Sequence, residues 1–353
     1  MKVTLISNEF ALNGSGVPRC SYSLYVALQR ICNVDKIDIS KQGIQFRFPI
    51  IDPLVRRDFY FMLHSSKVKN QNLHILHPEA FPEKCFGLPH KKIVTLHDFY
   101  PFDAQFYKNI YPETAPLFKR VFIAKIRRLI LEDSKRLHRL LGKYDYILAV
   151  SEIARDQALK LLDLDKSKIS ILYDIVEDKF RPLNTNKSND KVIIGYINNF
   201  SQNKMEKLKV FINTFKKLKG KEFELRLYGR NFYFNDLIKS DKRIKYCGFL
   251  PENRIVEVTN GFDAYLSTST IEGFGLPIMQ AKACKIPVLC YDGKIPHIVK
   301  RNTIVWNEEN LEAILNKRPW EKLNVERAYL DVKKCRPAVI AREALKVYEN
   351  VFG

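Results

Sequence analysis

The chain has 353 residues, 46% of them hydrophobic, and a formal net charge of +20. That length suits two domains of ordinary size with substantial cores, and no apolar run reaches the eighteen residues expected of a membrane-spanning helix. So large a positive charge points to an acidic partner (anionic lipid headgroups, nucleic acid or a polyanionic glycan) or to lysines spread over a soluble surface. Residues 2–7 form an apolar run too short for a secretory leader; a first strand is predicted there and a cytoplasmic location is expected. Asn13-Gly14-Ser15-Gly16-Val17-Pro18-Arg19 follows, then a helical pattern through Leu24, Ala27, Leu28 and Ile31, with Pro18 suited to its first turn. Residues 73–77 and 93–97 are predicted strands that end in polar groups, His77-Pro78-Glu79 and His97-Asp98. In open parallel sheets ligands sit beyond the carboxyl ends of strands, so these ends are where substrate groups belong. A long helical pattern over 117–141 precedes a strand at 146–150, and Ser151-Glu152 opens another helix. The polar, proline-containing stretch 181–190 is the predicted linker. Further strands are predicted at 191–195, 224–228, 244–246, 263–266 and 286–290, and a last helix at 337–351. Alternating strands and helices imply an α/β fold with parallel sheets.

The seven cysteines, at 20, 32, 85, 247, 284, 290 and 335, include no C-x-x-C pair. That odd number and that spacing argue against a disulfide framework or a zinc site and predict buried thiols. His74 and His77 lie in a strand-like run, where residues three apart point to opposite faces, so they do not form a metal pair.

The most informative stretch is Ser267-Thr268-Ser269-Thr270-Ile271-Glu272-Gly273-Phe274-Gly275-Leu276-Pro277-Ile278-Met279-Gln280. It stands between an apolar strand and a short helical segment. Glycines there let backbone N–H groups approach a ligand closely, and a helix N-terminus favours an anionic oxygen. A carboxylate beside them accepts hydrogen bonds from sugar hydroxyls. The pattern therefore suits a phosphate on one side and a polyol on the other.

The run Glu272-Gly273-Phe274-Gly275-Leu276-Pro277 resembles the signature of the retaining GT-B glycosyltransferases, specifically glycosyltransferase family 4, the group 1 type. That family carries a second acid after seven intervening residues; here the position is Gln280. The resemblance implies that Glu272 holds the donor sugar, that the amides at Gly273, Phe274, Gly275 and Leu276 bind sugar hydroxyls and phosphate, and that Gln280 meets the ribose without a charge. Val150-Ser151-Glu152, Gly229-Arg230 and Gly293-Lys294-Ile295-Pro296-His297 resemble further family segments, with His297 where the family has Glu and Lys285 where it commonly has Gly. The implied fold is GT-B: two doubly wound Rossmann-like domains facing each other across a cleft. Residues 1–185 would form the acceptor domain and 186–332 the nucleotide-sugar domain, with the helix in 333–353 crossing back to the first. The implied activity is that of a hexosyltransferase-like enzyme, moving a sugar from a UDP- or GDP-type nucleotide sugar to a hydroxyl of a glycan, lipid or protein-linked acceptor. No cofactor and no metal are implied.

The same resemblance places Gly14, Gly16 and Arg19 at a phosphate of the donor or substrate. It places His97 and Asp98 at the donor sugar and the acceptor, with Glu272, as the catalytic set. The family's Gly-Arg turn reads Gly195-Tyr196 here, so the arginine is missing. Its diphosphate lysine is matched by both Lys204 and Lys207, either of which supplies the charge that a departing nucleoside diphosphate requires. Two other readings stay open: a DNA-glycosylating enzyme of this fold, which the +20 charge would suit, and a non-catalytic sugar- or nucleotide-binding relative. The basic helix over 117–141 keeps Phe122, Ile126, Leu129, Leu137, Leu140 and Leu141 near one face. It either packs on a sheet or lies on an anionic membrane, which would make the protein peripheral there.

Overall fold

A computed structural model of the protein describes residues 1–11, 16–39, 72–78, 89–97, 139–162, 164–184, 191–198, 200, 202–220, 222–230 and 235–353. Gly14, Asp98 and the basic segment 117–138 lie outside them. The strands are β1 (Lys2–Ser7), β2 (Asn33–Asp38), β3 (Asn72–Ile75), β4 (Lys92–Leu96), β5 (Tyr146–Ala149), β6 (Ile169–Ile171), β7 (Val192–Ile197), β8 (Phe223–Tyr228), β9 (Ile244–Gly248), β10 (Ala264–Ser267), β11 (Val288–Tyr291) and β12 (Ile304–Trp306). The helices are α1 (Gly16–Leu28), α2 (Glu152–Leu162), α3 (Gln202–Lys217), α4 (Asn235–Lys239), α5 (Ile255–Asn260), α6 (Leu276–Ala283), α7 (His297–Lys300), α8 (Leu311–Lys317), α9 (Val325–Lys333) and α10 (Pro337–Phe352). Among the described residues no helix is long and apolar enough to cross a membrane.

The chain forms two compact units, one of residues 1–175 with 337–353 and one of residues 176–336. The break thus falls ahead of the predicted linker at 181–190. Residues 181–183 are fastened inside the second unit, where Asn260 Nδ2 donates to the carbonyl of Arg181 and Leu183 N donates to Asn260 Oδ1.

The first unit holds a parallel sheet in the order β2-β1-β3-β4-β5-β6. Its inner strands are apolar because both faces are covered: Val3, Leu5, Ile93, Val94 and Leu148 are wholly buried. Helices α1 and α10 pack together over one face through Leu24, Leu28, Ile340, Ala344 and Tyr348. His74 of β3 joins this layer to the sheet. Its Nδ1 lies 2.6 Å from Tyr348 Oη and its Nε2 lies 2.7 Å from Thr95 Oγ1.

Burial, with a smaller contribution from His97 nearby, lowers the His74 pKa from 6.5 to about 3. The native state therefore binds fewer protons than the unfolded chain. The stability due to neutral His74 is complete above about pH 6.5 and is lost as pH falls from there toward 3, by up to about 1.4 kcal/mol per pH unit. Urea midpoints measured from pH 7 to pH 4.5 should fall, and the fall should be shallower in His74→Gln. Parallel pH profiles for the two proteins would show that His74 already takes its proton in the native state.

The second unit holds a parallel sheet in the order β12-β11-β10-β7-β8-β9. Its core gathers Ile194, Leu208, Phe211, Phe215, Leu266, Trp306 and Trp320. The Phe211 and Trp306 rings meet edge to face at 5.6 Å. Strand order reverses between β7 and β10, because β8 and β9 extend the sheet on one side of β7 and β10 returns to its other side. The carboxyl ends of these two neighbours border a crevice, the usual place for a ligand in a doubly wound sheet.

Candidate functional site

The chain leaving β10 at that crevice is Thr268-Ser269-Thr270-Ile271-Glu272. Thr268 Oγ1 donates to the carbonyl of Lys204 at 2.9 Å, which ties this segment to the first turn of α3. Ile271 and Lys294 form a short parallel bridge, closed by Lys294 N to the carbonyl of Thr270 at 2.8 Å and by Glu272 N to the carbonyl of Lys294 at 3.2 Å. Gly293 makes this pairing feasible, since a Cβ there would stand 2.4 Å from the Thr270 carbonyl oxygen. The backbone of Glu272 is thus held from two sides.

Its carboxylate is held as well. Ser269 Oγ donates to Glu272 Oε1 at 2.6 Å, and Lys204 Nζ lies 3.0 Å from the same oxygen. Lys204 also donates to Asn198 Oδ1, just beyond β7, at 3.1 Å. Lys204 and Glu272 are 16% and 18% exposed, so a cation and an anion stand together at the surface of the crevice with solvent access retained. Gly275 follows with φ +100° and ψ 48°, a left-handed conformation that favours glycine, and it caps the N-terminus of α6. Phe274 is buried. Pro277 stands in the first turn of α6, where its missing N–H costs nothing. The arrangement sets the N-terminus of a helix, which favours an anion, beside a carboxylate that can accept from hydroxyls.

The two candidate lysines part company. Lys207, one turn along α3 from Lys204, pairs with Glu308 Oε1 at 2.5 Å and lies over the Tyr291 ring at 5.0 Å. Its hydrogen bond holds the Glu308 carboxyl below the ordinary range. Gln280 is buried on α6. Gly16 and Arg19 lie on α1 of the first unit, Gly16 exposed and Arg19 buried. His97, just past β4, has Nε2 3.1 Å from the carbonyl of Leu76 and Nδ1 3.5 Å from Asp174 Oδ1. Sequence reasoning missed Ser269 and Asn198. A hydroxyl three residues before the glutamate was the one available signal for Ser269; nothing marked Asn198.

Residues 191–317 match a family model described as "Glycosyl transferases group 1". The matched segment lies within the second unit and contains Lys204, Lys207, Glu272 and Gln280. The phosphatidylinositol N-acetylglucosaminyltransferase GPI3 subunit of Saccharomyces cerevisiae (strain YJM789) is 23% identical over 62% of this chain and 53% of its own length, so the chain spans about half of that relative. Among solved structures, a sucrose-phosphate synthase from Thermosynechococcus elongatus superposes with a TM-score of 0.76 at 14% identity, covering 99% of both chains. Anabaena HepE in complex with UDP-glucose superposes with a TM-score of 0.68 at 13% identity, covering 99% of this chain and 100% of its own. The GT-B fold expected from the motif is borne out by these neighbours, and the resemblance to group 1 glycosyltransferases by the family model that matches residues 191–317.

Proposed function

We propose that this GT-B protein transfers a sugar, with retention at the anomeric carbon, from a nucleoside-diphosphate sugar to an acceptor hydroxyl. The observation that carries the reading is the Lys204–Glu272–Ser269 constellation at the crevice between β7 and β10, beside the left-handed Gly275 at the start of α6. Glu272 accepts hydrogen bonds from the donor sugar. The amides at Gly273, Phe274, Gly275 and Leu276 face the sugar and the phosphates, where the helix N-terminus favours negative charge. Gln280 meets the ribose. Lys204 leaves its contact with Glu272 for the diphosphate, whose charge grows as the glycosidic bond breaks. No residue here is assigned as a covalent nucleophile. A fold neighbour supports a UDP-type donor, since HepE is seen with UDP-glucose. The yeast relative acts on a phosphatidylinositol by its name, which supports a lipid acceptor and a peripheral position at a membrane.

A thermal-shift screen of UDP-, GDP- and ADP-sugars, followed by turnover assays with the sugar that binds, tests the reading. Release of the matching nucleoside diphosphate with an α-linked product from an α-linked donor supports it. Binding with no transfer to any hydroxyl acceptor would leave a sugar-nucleotide-binding protein in its place.

Lys204→Ala should weaken nucleoside diphosphate binding by about 10- to 100-fold while changing nucleoside binding less than threefold, because a charged hydrogen bond contributes about 1.5–3 kcal/mol. Lys207→Ala should change neither by more than threefold, since its partner is Glu308. Calorimetry with UDP and uridine checks both, and equal losses for the two ligands would remove Lys204 from the diphosphate.

A further inference from the structure

The first unit contains a small, partly open pocket beyond the carboxyl ends of β3 and β4, lined in part by Cys20, Thr95, His97, Tyr173, Asp174 and Ile340. At its wall three side chains from distant parts of the chain converge: Cys20 from α1, His97 from the end of β4 and Asp174 from the segment after β6. One donor atom from each, the thiol sulfur, a ring nitrogen and a carboxylate oxygen, lie within 4.8 Å of one another. All three are largely enclosed: Cys20 is 7% exposed, and the side chains of His97 and Asp174 are 10% and 12% exposed. We propose that Cys20, His97 and Asp174 form a binding site for a zinc-class divalent cation, with a fourth position open to the pocket.

The hydrogen bonding of His97 sets the chemistry. Its Nε2 lies 3.1 Å from the carbonyl of Leu76. A carbonyl only accepts, so Nε2 carries a hydrogen, and Nδ1, 3.5 Å from Asp174 Oδ1, is the nitrogen whose lone pair the neutral ring offers to a cation. A backbone carbonyl that fixes the tautomer of an imidazole is the usual support behind a metal-bound histidine. The same geometry argues against a Cys–His–Asp nucleophile relay. Such a relay needs thiol and carboxylate on opposite ring nitrogens, and here the second nitrogen is taken by Leu76. Sulfur, imidazole and a single carboxylate suit zinc; magnesium and calcium require oxygen ligands. Tetrahedral zinc would place its ligand atoms roughly 3.3–3.6 Å apart, so small rotamer changes of about 1 Å close the present spacing.

Binding displaces the Cys20 thiol proton to solvent. The thiolate, the Nδ1 lone pair and the Asp174 carboxylate each form one bond to the cation, and no electrons are transferred. The bound ion fastens α1 to the end of β4 and to the chain after β6. This site is independent of the donor constellation of the second unit, so neither proposal falls with the other.

The full chain, stripped with a chelator, should be titrated with Co²⁺, and with Zn²⁺ against a chromogenic chelator. One equivalent of Co²⁺ should give the intense visible bands of four-coordinate cobalt and a thiolate charge-transfer band, both erased by one equivalent of Zn²⁺. Zinc should raise the thermal midpoint, and its affinity should rise about tenfold per pH unit while the thiol remains protonated. Cys20→Ser should abolish the thiolate band and weaken binding by about 100-fold or more. Asp174→Asn should weaken it by at least about tenfold and keep the band. Cys247→Ser, at an exposed cysteine of the second unit, should change neither. Circular dichroism confirms that each variant is folded; if Cys20→Ser is not, Asp174→Asn decides. No stoichiometric binding, a thiolate band that survives Cys20→Ser, or unchanged zinc affinity in Asp174→Asn would overturn the site.

Discussion

Replacing Glu272 by Gln should lower kcat/KM for sugar transfer by about 10²–10³-fold while moving the unfolding midpoint little. The carboxylate stands where the proposed donor sugar lies, and its hydrogen bonds there are charge-assisted, at about 1.5–3 kcal/mol each. Losing the charge at two sugar contacts gives about 3–4 kcal/mol in the transition state, which is the stated rate range. Gln keeps the shape and still accepts from Ser269. Lys204 keeps its bond to Asn198 Oδ1 at 3.1 Å, so the ion pair is lost without stranding a buried charge. Steady-state kinetics with the donor found in the screen, together with a thermal melt, separate the two effects. Activity within threefold of the unaltered protein would take Glu272 out of the mechanism. A melt lowered in proportion to the activity would make its role structural.

Most strands that the sequence announces are covered on both faces; the edge strand β9, predicted at 244–246 though three of its residues are exposed, is an exception. In β1, β4, β5, β7 and β10 nearly every side chain is buried, and such strands read as unbroken apolar runs. The edge strands β2, β6 and β12 were not foreseen. β2 reads Asn33-Val34-Asp35-Lys36-Ile37-Asp38, with Asp35 and Lys36 exposed and Asp38 buried, and β6 and β12 are three residues each. A strand with a neighbour on one side needs less apolar surface and leaves a weaker trace. The site divides in the same way. Glu272 and Gly275 were legible because a carboxylate and a left-handed glycine at a strand–helix turn have a specific use. Spacing alone could not separate Lys204 from Lys207, one turn apart on α3. Their partners differ, Glu272 for Lys204 and Glu308 for Lys207, and Glu308 is 101 residues away from Lys207 in the chain. The Cys20, His97 and Asp174 cluster is out of reach of any spacing rule, because the sheet topology alone brings it together.

The largest loss of stability is expected from Asp331→Ala. Asp331 of α9 is 1% exposed and accepts from Arg301 Nε at 2.6 Å and from Asn302 Nδ2 at 3.1 Å, with Lys282 Nζ at 3.5 Å. Lys282 of α6 is fully enclosed, and its remaining donors reach the carbonyls of Ile298 at 3.2 Å and Arg301 at 2.7 Å. This one ammonium pins α6, whose first turn lies at the donor constellation, to α7 and α9. Burial pulls its pKa down from 10.5 to about 8, with Asp331 opposing the shift. Without Asp331 the ammonium has no counter-ion in the core, and breaking such a pair from one side costs about 3–5 kcal/mol. Lys282→Met removes the demand for a counter-ion and leaves Asp331 with Arg301, so its cost should be smaller, about 1–2 kcal/mol. The sign of the pH dependence follows from the lowered pKa. The native state gives up the Lys282 proton before the unfolded chain does, so stability gains as pH rises from about 8 to about 10.5. The deficit of Asp331→Ala should therefore shrink between pH 7 and pH 9, as Lys282 becomes neutral, and Lys282→Met should lack that gain. Urea unfolding of the three proteins at both pH values measures this. A loss under about 1 kcal/mol at pH 7 would mean that Lys282 is already neutral or reaches water in the native state, and the clamp on α6 would then rest on its packing alone.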